Sequence, residues 1–166
     1  MTAGWPEPYL QPDRNKDCGY YAQAYLARCL GHPDVTAGQV RDWRAETRYH
    51  ETQYARRVLG AQMRSYADHR EDEKRRKWYW LGPGLDGWIR GILFTGWIGQ
   101  AMVHRIPDFG HAVVVLGSTV EGVQLMDPLS GFVTEPWDWF LGPGPGHGAH
   151  HIEGWYLPPG VSAPQP

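Results

Sequence analysis

In the first half of the chain, apolar residues recur at helical spacing. Across 13–33 they are Cys18, Tyr21, Ala22, Tyr25, Leu26, Cys29 and Leu30, a stripe that predicts a helix. Asp13, Asn15 or Asp17 can cap its start, and Gly31 followed by Pro33 ends it. Thr36 with Gln39 three residues on has the form of a capping box, opening a second helix that carries Val40 and Trp43 and runs toward Tyr49. From 50 to 77 the helical spacing continues through Tyr54, Val58, Leu59, Met63 and Tyr66, and REDEKRRK (70–77) reads as a solvated helix end or exposed loop. After a turn at LGPGLDGW, Trp88, Ile89, Ile92 and Leu93 predict a short helix ending at Gly96. The pattern then changes to strands at 98–105, 111–117 and 122–126, the last two joined by a polar turn at 118–121. One or two helical turns are expected over 135–141 and a closing strand over 152–157. A helical half followed by a strand half implies an α+β fold rather than alternating βαβ units.

Length changes the picture little: 166 residues suffice for one domain with its own core. Its expected parts are a helical lobe over about 13–95, a sheet lobe over about 96–158 and a flexible tail at 159–166, preceded by an extended Pro-rich start at 1–12. Two cysteines cannot form a disulfide framework. A formal charge of −2 gives no reason to expect nucleic acid or an anionic membrane as partner. Charge is nevertheless uneven, because residues 41–77 hold 11 of the 16 Lys and Arg against 7 acids. That stretch reads as a solvated helical face able to engage an acidic partner. The beginning of the chain lacks the basic start and apolar run of a signal peptide, and the most apolar stretch, 85–103, contains Asp86 and Arg90 and makes a poor membrane span. The expected compartment is the cytoplasm. Nine Trp and nine Tyr, with 21 Gly and 14 Pro, imply loop-rich architecture with a large aromatic contact area.

The candidate chemistry starts at Cys18, between Asp17 and Gly19 at the predicted amino end of a helix. The helix dipole and the unpaired N–H groups there favour thiolate over thiol, which makes a cysteine nucleophilic. Gly19 lets a substrate carbonyl approach the backbone closely. The competing reading is a buried helical cysteine acting as a small hydrophobe. A thiolate nucleophile needs an imidazole, and the imidazole an orienting acceptor. Of eight histidines, His111 is best placed, because GHAVVV puts it at the start of a buried strand. Asp127 follows sixteen residues later, across a predicted hairpin that returns residues near 111 and 127 to one end of a sheet. Taken singly, each has a structural alternative: a histidine opening a strand, and an Asp-Pro turn.

QPDRNKDCGYYAQAYL, GHAVVVLG and GVQLMDPLSG together resemble the papain-like cysteine peptidases, and in particular the compact bacterial double-glycine leader peptidases and their stand-alone cousins. The resemblance covers about residues 8–30 and 96–130. It implies a papain-like fold in which Cys18 is the nucleophile, His111 the general base and acid, and Asp127 the orienter. It also makes Gln11 the oxyanion-hole donor beside the Cys18 backbone N–H, with Asn15 the alternative donor. The implied reaction is acyl transfer without a cofactor, on a peptide or protein substrate. Hydrolysis of a peptide or isopeptide bond is one outcome. Acyl transfer to another acceptor, cyclisation and deamidation use the same triad, and a non-catalytic peptide-binding module shares the fold.

Gly19 and Gly110, beside the nucleophile and the base, are expected to contact substrate, as are Trp80 and Trp88. These tryptophans, with Trp78 and Trp97, can equally pack the helices onto the sheet. Cys29 lies ~16 Å along the helix from Cys18 and is expected to pack in the core rather than bridge it. His104 rivals His111 as base but has no Asp at hairpin distance. His147, His150 and His151 lack the cysteine or paired acid of a zinc site and are expected in a mobile loop near the cleft.

Overall fold

The computed structural model describes residues 5–12, 17–65, 92–95, 111–118, 121–136, 150–152 and 154–157. Helix α1 (Cys18–Cys29) follows Asp17 and closes at Leu30 and Gly31, where the backbone turns left-handed at φ 95°. Helix α2 (Ala37–Thr47) opens with the anticipated capping box: Gln39 N–H donates to Thr36 Oγ1 at 3.2 Å and Thr36 N–H to Gln39 Oε1 at 3.0 Å. A 3₁₀ turn (Glu51–Gln53) and the short helix α3 (Tyr54–Arg57) come next.

Across 50–65, the described part of the segment expected to be helical over 50–77, there is no continuous helix. Tyr54 and Val58 do keep helical spacing, but Gly60 adopts φ 67°, and the chain enters strand β1 (Gln62–Ser65). The short helix expected around Ile92 and Leu93 is likewise a strand, β2 (Ile92–Thr95). The predicted hairpin forms as β3 (His111–Ser118) and β4 (Gly122–Asp127). Strand β5 (Gly131–Pro136) includes Glu135 and Pro136, where a helical turn was expected. The closing segment divides into β6 (His150–Ile152) and β7 (Gly154–Leu157), which join different sheets. The strand expected at 98–105 and the tail at 159–166 lie outside the described residues.

Five strands form an antiparallel sheet in the order β5-β4-β3-β2-β6, and β1 pairs antiparallel with β7. Helix α1 packs across β3. The core between them holds Ala22, Tyr25, Leu26 and Leu30 from the helix, with Ala112, Val114, Leu116 and Met126 from the sheet. The α+β class follows directly: one face of α1 and one face of the sheet bury each other. Among the described residues no helix is long and apolar enough to cross a membrane.

The β4–β5 edge depends on a glycine. A Cβ added at Gly122 would stand within 2.1 Å of the Glu135 carbonyl oxygen, a backbone atom held by strand pairing. Gly122→Ala is therefore expected to lower unfolding free energy by about 2–3 kcal/mol. A chemical denaturation midpoint equal to wild type would show that the pairing yields freely.

Candidate active site

Helix α1 begins at Cys18, and the Tyr20 and Tyr21 N–H groups donate to the Asp17 carbonyl at 3.0 and 3.2 Å. Cys18 retains only 5% exposure and joins the buried cluster that contains Ala112 and Met126. Each of those two residues adjoins a predicted site residue: His111 precedes Ala112 and Asp127 follows Met126.

His111 opens β3 at the end of the sheet where Asp127 closes β4. Their relative level is set by an irregularity in the hairpin. Ser118 pairs with Val123 and Gly117 with Gln124, but Val115 then pairs with Leu125 and Val114 with Met126, so Leu116 is an extra residue on β3. Continuing that register makes Val113 the residue level with Asp127. His111 lies two positions further along the strand, a diagonal of roughly 7–8 Å between backbones.

Asp127 is fully buried. Its Oδ1 accepts from Leu129 N–H at 2.8 Å and its carbonyl from Ser130 N–H at 3.1 Å, so the Asp-Pro turn itself fixes the carboxylate. Gln11, 6% exposed, is held at the same turn by its N–H, which donates to the Pro128 carbonyl at 2.9 Å. The 5–12 segment reaches this point as a strap across α1. Tyr25 Oη donates to the Pro6 carbonyl at 2.8 Å, Tyr9 Oη accepts from Ala37 N–H at 3.2 Å, and the Tyr9 ring meets Tyr21 edge to face at 4.7 Å and Arg28 by cation–π contact at 3.8 Å. Pro8 and Leu10 lie against Gly131.

Gly19 is a packing position as well as a candidate site residue. A Cβ there would meet Glu51 Oε1 at 2.5 Å, so the glycine admits a buried carboxylate against the first turn of α1. Glu51 is ion-paired with Arg44, and His50 Nε2 lies 3.5 Å from Glu51 Oε2. The sequence offers no signal for this cluster, because Glu51 and Gly19 are far apart in the chain and Glu51 sits in an Arg-rich run.

The two cysteines occupy different chemical settings. Burial pushes the Cys29 thiol up to about 12, beside the Tyr25 hydroxyl, whose own ionisation burial also pushes upward. Cys29 is thus a neutral packing group at physiological pH. Its folded-state value exceeds its ordinary one, so its contribution to stability is complete below pH 9.0 and is lost as pH rises through about 12. Unfolding free energy is expected to fall above about pH 9 by roughly 1.4 kcal/mol per pH unit from this group. Urea unfolding of wild type and Cys29→Ala across that range checks it, since the variant should show a shallower decline.

Several expected site residues lie outside the described residues: Gly110, Trp80 and Trp88, and with them Asn15, His104, Trp78, Trp97 and His147. His150 and His151 belong to β6 rather than a loop. His150 pairs with Thr95, which on its other side pairs with His111, so the two histidine positions share one row across the sheet. Among the described residues no group of His, Cys, Asp and Glu is arranged to hold a metal ion.

No family model matches the chain, and no curated protein matches it. Among solved structures it is similar to a double glycine motif protease from an AMS/PCAT transporter, in complex with the leader peptide, with a TM-score of 0.50 and 16% identity over 95% of this chain and 94% of that one. The α+β fold of this chain is that of a papain-like peptidase.

Proposed function

We propose that the chain is a thiol-dependent acyl-transfer enzyme of the papain-like kind, acting on a peptide or isopeptide bond. Cys18 attacks the carbonyl carbon, Gln11 and the Cys18 backbone N–H stabilise the oxyanion, and His111 takes the thiol proton and returns it to the leaving amine. Asp127 fixes the imidazole, and water releases the acyl group from sulfur.

One observation carries this reading: segments distant in sequence are joined at the end of the sheet where β3 begins and β4 ends. The strap ties Gln11 to the Asp127–Pro128 turn, β3 starts there with His111, and Cys18 shares a buried cluster with the neighbours of both. The leader peptide held by the similar protease supports a peptide as substrate.

The test uses iodoacetamide at neutral pH, followed by peptide mapping. Alkylation is expected at Cys18 and not at Cys29. Adducts on Cys29 alone, or on neither, would refute the assignment. A peptide library incubated with the enzyme then separates hydrolysis from aminolysis by the mass of the products.

A further inference from the structure

The 5–12 strap is held largely by side chains. Pro6, Pro8 and Pro12 remove three N–H donors, so a ladder of backbone bonds cannot fix its register. Across 9–12 burial alternates: Tyr9 is half-buried, Leu10 exposed, Gln11 buried and Pro12 exposed. That is the pattern of an extended segment with Tyr9 and Gln11 on its inner side, their backbones roughly 7 Å apart. Tyr9 is gripped from both helices. Its ring meets Tyr21 edge to face at 4.7 Å, the Arg28 guanidinium lies over it at 3.8 Å, and its Oη accepts from Ala37 N–H at 3.2 Å. Ala37 opens α2, so Tyr9 supplies the acceptor for one of the amide groups that a helix start leaves unpaired. Tyr9 also packs against both buried clusters, the one shared with the sheet and the one joining α1, α2 and α3. Two residues on, Gln11 N–H donates to the Pro128 carbonyl at 2.9 Å. The strap thus bridges the helices to the β4–β5 turn, and Tyr9 is its anchor on the helix side.

We infer that Tyr9 is a positioning residue for Gln11, an inference that rests on the function proposed above. Locked between α1 and the start of α2, Tyr9 sets the level of the strap and with it the place of the Gln11 side chain. An oxyanion donor is effective only if it already stands where charge develops, and a displacement of about 1 Å lowers the rate of the chemical step. A strap poor in backbone donors does not hold that tolerance alone. The bond from Tyr25 Oη to the Pro6 carbonyl secures the chain five residues before Gln11, too far along an extended segment to fix its end. Tyr9 is the nearer anchor, its ring supplying the packing and its hydroxyl the register against α2.

Amide hydrogen exchange at Gln11, followed by NMR, is paired with steady-state kinetics on a peptide that the library shows to be turned over. Tyr9→Leu keeps apolar volume but loses the ring and the hydroxyl. Its Gln11 N–H is expected to exchange roughly tenfold faster, with Tyr25 and Leu26 N–H in α1 unchanged. Its kcat should fall roughly tenfold with KM within about twofold of wild type. Tyr9→Phe removes the hydroxyl alone, and should speed Gln11 exchange and lower kcat by no more than about threefold. In a Gln11→Ala background, Tyr9→Leu should cost less than about twofold, because the residue it positions is gone. A Tyr9→Leu loss undiminished in that background would overturn the inference, as would a rise in KM at unchanged kcat. So would Gln11 exchange that stays at the wild-type rate in both variants, or in Tyr9→Phe if Tyr9→Leu does not fold. Exchange is read without turnover. A chain that turns over no peptide, yet whose Gln11 exchange depends on Tyr9, would reject the proposed chemistry and leave the positioning of Gln11 standing.

Discussion

Replacing Cys18 with alanine is expected to reduce turnover by roughly 10⁴-fold or more. Without sulfur no acyl-enzyme forms, and the remaining groups can only polarise the carbonyl. The fold should survive, because the substitution removes one atom from the margin of the core. With 5% exposure, in a cluster that includes small residues such as Ala22 and Ala112, the cost is about 1 kcal/mol, or 2–4 °C in melting temperature. Cys29→Ala supplies the matched control: it should leave turnover unchanged. A Cys18→Ala protein that retains activity, or one that no longer folds, would remove the nucleophile from Cys18.

Asp127 should show the second largest effect, graded by what replaces it. In Asp127→Asn the amide oxygen can still accept a hydrogen bond, either from the imidazole or from Leu129 N–H, so part of the activity should persist. Asp127→Ala frees the ring and also leaves the Leu129 N–H, now bonded at 2.8 Å, without its acceptor. Rate is expected to fall by up to roughly 10⁴-fold. Stability should drop by about 1–3 kcal/mol, the cost of one unsatisfied donor near a fully buried position. The pH dependence of kcat/KM separates a positioning role from a purely structural one. If Asp127 orients His111, the basic limb of the profile moves in the Asn variant; if it only builds the turn, stability changes and the limb does not.

The parts of the fold legible in the sequence are those specified by neighbours in the chain. Thr36 and Gln39 announce α2, Gly31 closes α1, and the polar turn at 118–121 joins two apolar runs into β3 and β4. What escaped reading is specified by distant partners. Gln62–Ser65 has no period-two pattern of its own and becomes a strand because Met63 pairs with Tyr156 and Arg64 with Trp155. Ile92 and Leu93 fit a helix until β3 and β6 flank them. Strand β5 ends in Glu135 and Pro136, residues typical of neither a core strand nor an interior helix, which an edge position tolerates.

The candidate site divides the same way. The sequence proposes Cys18 from its place before a glycine at a helix start, and Asp127 from the count across a hairpin. That count missed the extra residue at Leu116, which makes Val113, rather than Val114, level with Asp127. Gln11 was reached through resemblance alone. What fixes it is a bond to the Pro128 carbonyl, and no local pattern announces that contact. Glu51 against Gly19 was not anticipated, since only the folded chain brings them together.

The strap also has a consequence for folding order. Gln11 is tied to Pro128, and Cys18 belongs to one buried cluster with Ala112 and Met126, so the closures that assemble the candidate site span about a hundred residues. Contacts of such separation form late, after local helices and the β3–β4 hairpin. On the ribosome, α1 with Cys18 emerges well before β4 and Asp127. A nascent chain is in this sense self-protected: the geometry proposed for bond cleavage arises only once Asp127 and its turn have been made.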